Sequence, residues 1–173
     1  MQPLNILFTS AGRRHSLIAD FKRTLQDLEI SGNTVTADMS RLSAASFAAD
    51  HREQIVAVRS KEYIDQLLLL CRKHAVRLVI PLIDTELPVL SANKARFLAE
   101  GITVMVSSPE TIAICTDKRT TAAFFTQAGF NTPKIHDPLT ILHDPAAQYP
   151  FFLKPANGSS SIGAMRIENA KEL

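Results

Sequence analysis

The sequence predicts an α/β protein in which a parallel sheet is followed by a smaller second unit. Short apolar runs alternate with segments of helical spacing five times in order up to Val106. Strands that are each followed by a helix form a parallel sheet with helices on both faces. Beyond Gly129 the chain changes to scattered prolines and a glycine- and serine-rich loop. We therefore expect a Rossmann-like domain at residues 1–110 and part of a second domain at 111–173.

The elements of the first domain follow from apolar periodicity. Leu4–Phe8 is a short apolar run that ends at a Ser-Ala-Gly turn, and apolar residues then repeat with helical spacing from Ser16 to Leu28. Later strands are predicted at Thr34–Ala37, Gln54–Val58, Val76–Ile80 and Ile102–Val106, and later helices at Lys61–His74 and within 84–98. This order of strands and helices is typical of a doubly wound sheet.

The second domain is predicted to begin with a short helix. Ser108 and Pro109 suit the N-cap and the first helical position. The remaining predicted elements are a helix at Asp117–Ala128, a linker at 131–149, and antiparallel strands at Phe151–Lys154 and Met165–Ile167. Gly129 ends the helix because glycine readily adopts the left-handed conformation found just after a helix.

Composition and charge argue against several classes of protein. The net charge of +2 comes from 19 basic and 17 acidic side chains mixed along the chain, which disfavours nucleic acid as a partner. The N-terminus lacks a secretory pattern, and no apolar run reaches the roughly 18 residues of a membrane span. Cys71 and Cys115 lie in apolar segments without metal-ligand spacing. We expect two buried thiols, a reducing cytoplasm, no membrane and no metal site within the chain.

The stretch Phe151–Gly163 has the composition of a phosphate-binding loop, because a strand that ends in lysine runs into glycines and serines. Its candidate ligand-binding residues are Lys154, Gly158, Ser159, Ser160, Ser161 and Gly163. Lysine supplies a flexible positive charge, and glycine lets backbone N–H groups approach an anion closely. The alternative interpretation is a hairpin connection without a ligand.

A second group of candidates lies where the first strand meets its helix, at Ser10, Gly12 and Arg13. Ligands of doubly wound sheets bind at this carboxyl edge, and helix N-terminal amides with an arginine can hold a carboxylate or phosphate. The G-x-G-x-x-G spacing of a dinucleotide site is missing, so a tight turn with solvated arginines stays open as an alternative. Asp38, at the end of the second strand, is interpreted as a helix N-cap in preference to a ribose ligand.

Two acidic residues and a lysine complete the candidates. Asp84 and Glu86 follow the fourth strand, where they can meet a substrate ammonium or a metal. Alternatively, Asp84 caps the next helix, and Thr85 and Glu86 lie in its acidic first turn. Lys118 begins a helix, a position that the helix dipole disfavours for lysine unless an anion lies nearby. The alternative for Lys118 is an ordinary exposed lysine.

Several motifs, taken in order, resemble the ATP-grasp superfamily. They are Ser107-Ser108-Pro109, T-D-K at Thr116–Lys118, A-G-F-N-T-P-K at Ala128–Lys134 and F-L-K-P-x-x-G-S at Phe152–Ser159. Together with the N-terminal layer, they make the chain similar to carbamoyl-phosphate synthase large-subunit-like proteins and to carboxylate–amine ligases such as the pyrrolysine-pathway ligase. The resemblance extends over the whole chain.

The resemblance implies an ATP- and magnesium-dependent ligase. In such enzymes a pre-ATP-grasp domain precedes a two-lobed fold that clamps ATP, and a carboxylate becomes an acyl phosphate before an amine or ammonia attacks it. By the resemblance, Lys118 and Lys154 match residues that contact nucleotide phosphates, and Gly158–Gly163 matches the loop that folds over them. Ala156 and Ser160 depart from the arginine and glycine of the subgroup, which affects one phosphate contact and the flexibility of the loop.

The resemblance also implies what the chain lacks. The magnesium ligands and a catalytic arginine are expected beyond Leu173, so the chain alone is expected to be inactive. The expected partners are ATP and a small carboxylate or amine, and a homodimer is compatible with the sequence. The competing hypothesis is a non-catalytic Rossmann-type module that binds a small anion or nucleotide through Ser10–Arg14. A nicotinamide-dependent oxidoreductase is disfavoured by the missing glycine fingerprint.

Overall fold

The chain folds into two compact units, Met1–Pro109 and Glu110–Leu173, which we call unit 1 and unit 2. The computed structural model describes residues 2–158 and 161–173. None of the helices in these ranges combines the length and the apolarity that a membrane span requires.

Unit 1 is built on a five-stranded parallel sheet with the strand order β3-β2-β1-β4-β5. The strands are β1 (Asn5–Thr9), β2 (Thr34–Asp38), β3 (His51–Gln54), β4 (Val76–Pro81) and β5 (Thr103–Val104). The helices are α1 (His15–Asp27), α2 (Tyr63–Lys73), α3 (Leu87–Ala92) and α4 (Lys94–Leu98), with short 3₁₀ helices at Ala44–Phe47 and Asp84–Glu86. The predicted α/β class with a parallel sheet is confirmed.

Both faces of the sheet are covered by helices. Successive residues of a strand point to opposite faces, so that Leu7 of β1 joins a cluster with Leu67 of α2 and Phe97 of α4. Its neighbour Phe8 joins a second cluster on the other face with Ile18 of α1. The short apolar runs of the sequence are therefore strands that are buried on both sides.

The edges of the sheet differ from the prediction. The third strand was expected at Gln54–Val58, but β3 pairs with β2 through His51–Gln54, in register from Val35↔His51 to Asp38↔Gln54. Ile55 and its apolar neighbours pack against the core without forming the strand. Their apolar character therefore results from burial in the core and not from strand pairing. The fifth strand is also shorter than expected, at two residues.

The helical segment predicted within 84–98 is divided. It consists of the 3₁₀ helix at Asp84–Glu86, then α3 and α4, which are separated at Asn93.

The two cysteines differ in burial. Cys71 is buried as expected, whereas Cys115 is exposed, which corrects the prediction of two buried thiols. Burial raises the pKa of the Cys71 thiol to about 12, so this thiol is an inert part of the core.

The described residues of unit 2 form three helices, the first of which begins at Pro109, and one hairpin. The helices are α5 (Pro109–Thr116), α6 (Lys118–Gln127) and α7 (Pro138–Leu142), and the strands are β6 (Phe151–Leu153) and β7 (Met165–Ile167). The two strands are antiparallel, in register from Phe151↔Ile167 to Leu153↔Met165. The segment predicted as a linker at 131–149 contains α7, because Asp137 caps the backbone N–H of Leu139 and proline occupies the first helical position.

Candidate functional site

Lys118 of α6 lies against the loop that follows β6. Its ammonium group donates hydrogen bonds to the carbonyl oxygens of Ala156, at 3.3 Å, and Gly158, at 3.1 Å. Its backbone N–H also donates to the Ala156 carbonyl, at 3.0 Å. The structure therefore joins two segments that lie 38 and 40 residues apart in sequence.

The carboxylate of Asp117, which precedes Lys118 in sequence, interacts with Arg119. Asp117 caps α6 by accepting a hydrogen bond from the Arg119 backbone N–H, at 2.8 Å, and its side chain also pairs with the Arg119 guanidinium. The Arg119 side chain and then its backbone N–H lower the pKa of Asp117 to about 2. The hydrogen-bond partners recorded for the Lys118 ammonium are both loop carbonyls, so an anion can compete for it without breaking an ion pair with Asp117.

A cavity of about 560 Å³ in unit 2 is lined by three lysines, Lys118, Lys134 and Lys154. Other cationic or titratable lining residues are Arg119 and His136. The apolar part of the wall comes from Ile135, Ile141, Phe151, Phe152 and Leu153, with three prolines. A neighbouring hollow of about 660 Å³ shares Arg119, Lys134 and His136 with it. This combination of apolar wall and concentrated positive charge suits a ligand with an aromatic part and an anionic part.

Three described residues of the glycine-rich loop have positive φ values. Gly158 and Gly163 have φ values of 116° and 75°, in the region that favours glycine, and Ser161 has a φ of 57°. All three residues are exposed. The predicted ligand residues Ser159 and Ser160 lie outside the described residues. A Cβ on Gly163 would lie 3.1 Å from the ring of Pro155, so the close passage of the loop also favours glycine there.

The other candidates lie at the carboxyl edge of β1 in unit 1. Ser10 and Gly12 have φ values of 49° and 55°. Asp38 accepts hydrogen bonds from the Gly12 backbone N–H, at 3.2 Å, and from the Ser43 hydroxyl, at 2.7 Å. Asp38 therefore fastens the loop after β1, and its interpretation as a helix N-cap is wrong. Arg13 is exposed on the same turn.

The two acidic candidates after β4 have opposite environments. Asp84 is exposed, whereas Glu86 is completely buried. Glu86 accepts hydrogen bonds from the hydroxyls of Thr9, at 2.7 Å, Ser10, and Tyr63, at 2.8 Å. Of the predicted residues in unit 1, the structure brings Ser10 into contact with Glu86.

Sequence reasoning missed several residues of these sites. No pattern in the sequence marks Thr9 or Tyr63 as a site residue, and no spacing connects them to Glu86. Lys134 ends the A-G-F-N-T-P-K motif, so its presence in that motif was a signal that went unused. His136 lies in the segment predicted as a linker, where nothing marked it.

The fold, together with the sequence of unit 1, identifies the family of the chain. A five-stranded parallel sheet in unit 1 precedes a smaller unit with a β-hairpin, as the resemblance implies, and the following family match confirms the resemblance. Residues 6–105 match the family described as PylC-like, N-terminal domain. The match covers more than half of the chain, and the chain belongs to this family.

Solved structures share the fold. The L-amino acid ligase from Bacillus licheniformis is 19% identical, with a TM-score of 0.69 over 99% of this chain and 39% of its own. The biotin carboxylase of Campylobacter jejuni, in a β-γ-ATP complex, is 21% identical, with a TM-score of 0.68 over 99% of this chain and 40% of its own. The biotin carboxylase domain of Hydrogenobacter thermophilus 2-oxoglutarate carboxylase, a dimer with MgADP, ADP and bicarbonate, is 19% identical, with a TM-score of 0.66 over 99% and 39%.

These likenesses concern the fold of the chain. The chain spans about two fifths of the length of each of these three structures. The comparison with curated proteins gave no match.

Proposed function

We propose that the chain is part of an ATP-dependent ligase that activates a carboxylate as an acyl phosphate and joins it to an amine or ammonia. The observation that carries the proposal is the cavity of unit 2, which is lined by Lys118, Lys134 and Lys154 and by Ala156 at the start of the glycine-rich loop. The family and the fold support it, because the structures with the same fold include an amino acid ligase and carboxylases bound to adenine nucleotides.

The residues of the cavity fit a nucleoside triphosphate. Ammonium groups neutralise phosphate oxygens. The glycine-rich loop continues from the cavity wall at Ala156, and its backbone N–H groups near Gly158, whose carbonyl contacts Lys118, can donate to the same oxygens. The side chains of Ile135, Ile141 and Phe152 offer an apolar surface for a base. The volume of about 560 Å³ lies in the usual range for small-molecule sites, roughly 300–1,000 Å³.

The proposed role of unit 2 is to hold and orient phosphate. ATP, when bound, supplies the phosphoryl group that makes a carboxylate reactive towards an amine. Phosphoryl transfer depends mainly on charge neutralisation and positioning, which are tasks that lysines and backbone donors perform. Lys118 would exchange its hydrogen bonds to the carbonyls of Ala156 and Gly158 for stronger bonds to phosphate oxygens.

Magnesium is part of the proposal, but none of the described residues is assigned to it. Residues 2–158 and 161–173 contain no group of three or more histidine, cysteine or acidic side chains that could hold a metal ion. The proposed magnesium would accompany the phosphates of the nucleotide, as Mg²⁺ usually does when it binds through few protein carboxylates.

We assign the small carboxylate or amine to the carboxyl edge of unit 1. Ligands of parallel sheets bind outside the carboxyl ends of the strands. There the turn of Ser10, Gly12 and Arg13 and the exposed Asp84 offer groups of both charges. Glu86 lies behind this edge and contributes through its contacts within the protein.

Titration of the 173-residue chain with MgATP, followed by amide NMR, tests phosphate binding. We expect weak binding, with a Kd of about 1 mM or higher, because the chain spans about two fifths of the structures with a bound nucleotide. The shifts should concentrate at Lys118, Gly158 and Gly163. Lys154→Ala should weaken binding about tenfold or more, whereas Lys171→Ala makes the same charge change on an exposed residue outside the cavity and should leave the Kd within about twofold.

Equal effects of Lys154→Ala and Lys171→Ala would remove Lys154 from the site, and a submillimolar Kd would contradict the expected weakness. In the full-length natural protein, Lys154→Ala should lower kcat/KM by about 100-fold or more. MgATP binding at the cavity with no carboxylate-dependent release of ADP from the full-length protein would instead favour the non-catalytic binding module.

A further inference from the structure

We infer that Glu86 is a positioning residue that fixes the turn of Ser10, Ala11 and Gly12, and that it does not contact the substrate. The carboxylate of Glu86 has no exposed surface. An ammonium group or a metal could reach it only if the surrounding hydroxyls moved away. This inference rests on the proposed function only in calling the turn part of a substrate site; the hydrogen bonds themselves are independent of it.

Three hydroxyl groups surround the Glu86 carboxylate. Thr9 donates to Oε2 at 2.7 Å, and both Ser10 and Tyr63 donate to Oε1, the latter at 2.8 Å. An ionised carboxylate is an acceptor only, with about four lone-pair sites, so three donors satisfy most of its capacity. The ion pairs recorded for residues 2–158 and 161–173 do not include Glu86. The polar partners recorded for its side chain are therefore these three hydroxyl groups.

Tyr63 is a permanent donor in this cluster. Its side chain is almost completely buried as the first residue of α2. Burial, and then the nearby charge of Glu86, raise the pKa of Tyr63 above its ordinary value, so the hydroxyl keeps its proton. Glu86 thus ties the beginning of α2 to the end of β1, which is 76 and 77 residues away from it in sequence.

The bond from Ser10 bears on the shape of the turn. Ser10 has a φ of 49°, a conformation that costs free energy in any residue with a Cβ. Two contacts hold Ser10 there: its hydroxyl donates to Glu86, and its backbone N–H donates to the Ala37 carbonyl at 2.9 Å. The following Gly12 is fastened from the other side, by Asp38. Glu86 and Asp38 together determine where the amides of the turn point.

Hydrogen exchange of the 173-residue chain, without nucleotide or substrate, tests this inference. Glu86→Gln should speed the exchange of the Gly12 and Arg14 amides, which donate hydrogen bonds within the turn region, about tenfold or more relative to amides of β1 and α2. Glycine adopts a positive φ without a supporting bond, so Ser10→Gly should keep the turn, and on that background Glu86→Gln should change the same amides less than about twofold. Asp84→Asn, on the same 3₁₀ helix but exposed, is the matched control and should change nothing.

The inference is overturned if Glu86→Gln speeds exchange equally in the turn and in the sheet, or if Ser10→Gly fails to suppress its effect. Should Glu86→Gln not fold, Ser10→Ala removes one donor and keeps the Cβ. That variant should open the turn where Ser10→Gly does not, and equal exchange in the two serine variants would count against the inference. Because no ligand is present in this experiment, the inference about Glu86 can fail while the proposed ligase function stands. The proposed ligase function can equally fail while the inference about Glu86 stands.

Discussion

The two units of the chain are stabilised in different ways. In unit 1, α2 buries five of its side chains and α1 buries Ile18 and Leu25, and neither helix has a side-chain cap. In unit 2, α6 buries none of its residues, and both α6 and α7 begin at an aspartate that caps the helix. Burial secures the helices of unit 1, whereas local hydrogen bonds carry more of that task in unit 2.

The difference extends to the cores. Unit 1 contains two clusters of buried apolar residues, one on each face of its sheet. The buried apolar residues recorded for the described part of unit 2 are Ile112, Ile141 and Ile167, while Phe130 and Phe152 are largely exposed. Segments with few buried contacts open at low free-energy cost, and ligand-binding loops come from such segments. The comparison therefore agrees with the proposal that unit 2 holds the nucleotide while unit 1 supplies a rigid edge.

The largest expected effect contrasts one phenylalanine from each unit. Phe97 is 0% exposed and Phe130 is 64% exposed. Phe97→Ala should lower the free energy of unfolding of unit 1 by about 3–5 kcal/mol, because it removes apolar burial and leaves a cavity. Phe130→Ala should change the stability of unit 2 by less than about 0.5 kcal/mol. Urea titrations followed by the NMR signals of each unit measure both, and similar losses would show that Phe130 is covered in solution.

A smaller change in the free energy of unfolding is expected when one acidic residue in each unit is replaced by glutamine. Burial by itself raises the pKa of Glu53, but hydrogen bonds from Lys73, at 2.7 Å, and His74, at 2.8 Å, outweigh it and hold the pKa below its ordinary value of 4.5. At neutral pH, Glu53→Gln should cost about 1–3 kcal/mol. Glu168→Gln, in the exposed pair with Arg166 of unit 2, should cost less than about 1 kcal/mol.

The pH dependence of the Glu53 contribution has a definite sign. A carboxyl whose folded pKa is lowered stabilises the protein above its unfolded pKa, and this contribution is lost as the pH falls through the folded pKa. The difference in unfolding free energy between the natural chain and Glu53→Gln should therefore be largest at neutral pH and shrink below about pH 4.5. A difference that stayed constant with pH in urea titrations would show that the ion pair is not its source.

The same contrast explains what the sequence predicted well. The strands β1, β2 and β4 and the helices α1 and α2 are within two residues of their predicted ends, because burial imposes a clear apolar period. The edge strand β3 was displaced because its paired residues, His51–Gln54, are polar, while the apolar residues after them pack without pairing. Helix α7 was missed because its capping aspartate and proline resemble the turn signals of a linker.

The two candidate sites also differ in how far the sequence predicted them. Lys118 and the loop around Gly158 were predicted as one site from motif order, and their hydrogen bonds place them together. The partners of Glu86 could not be predicted, since Thr9 and Tyr63 are brought to it by the packing of the sheet and α2. Hydroxyl donors leave no periodic or spacing signal in a sequence. The opposed environments of Asp84 and Glu86, two residues apart, likewise depend on tertiary structure.

The smallest change in the free energy of unfolding is expected from substitutions at helix N-caps. Asp137 accepts a hydrogen bond from the Leu139 backbone N–H at 2.7 Å, so Asp137→Ala should lower the free energy of unfolding of unit 2 by about 1 kcal/mol, and Asp137→Ser should restore most of it. Arg14 occupies the equivalent position of α1 without such a bond, and Arg14→Ala should change unit 1 by less than about 0.5 kcal/mol. Urea titrations of the three variants measure these changes in the free energy of unfolding. Equal losses from Asp137→Ala and Arg14→Ala would mean that caps matter alike in both units, which would contradict the division between a unit stabilised by its core and a unit stabilised by local hydrogen bonds.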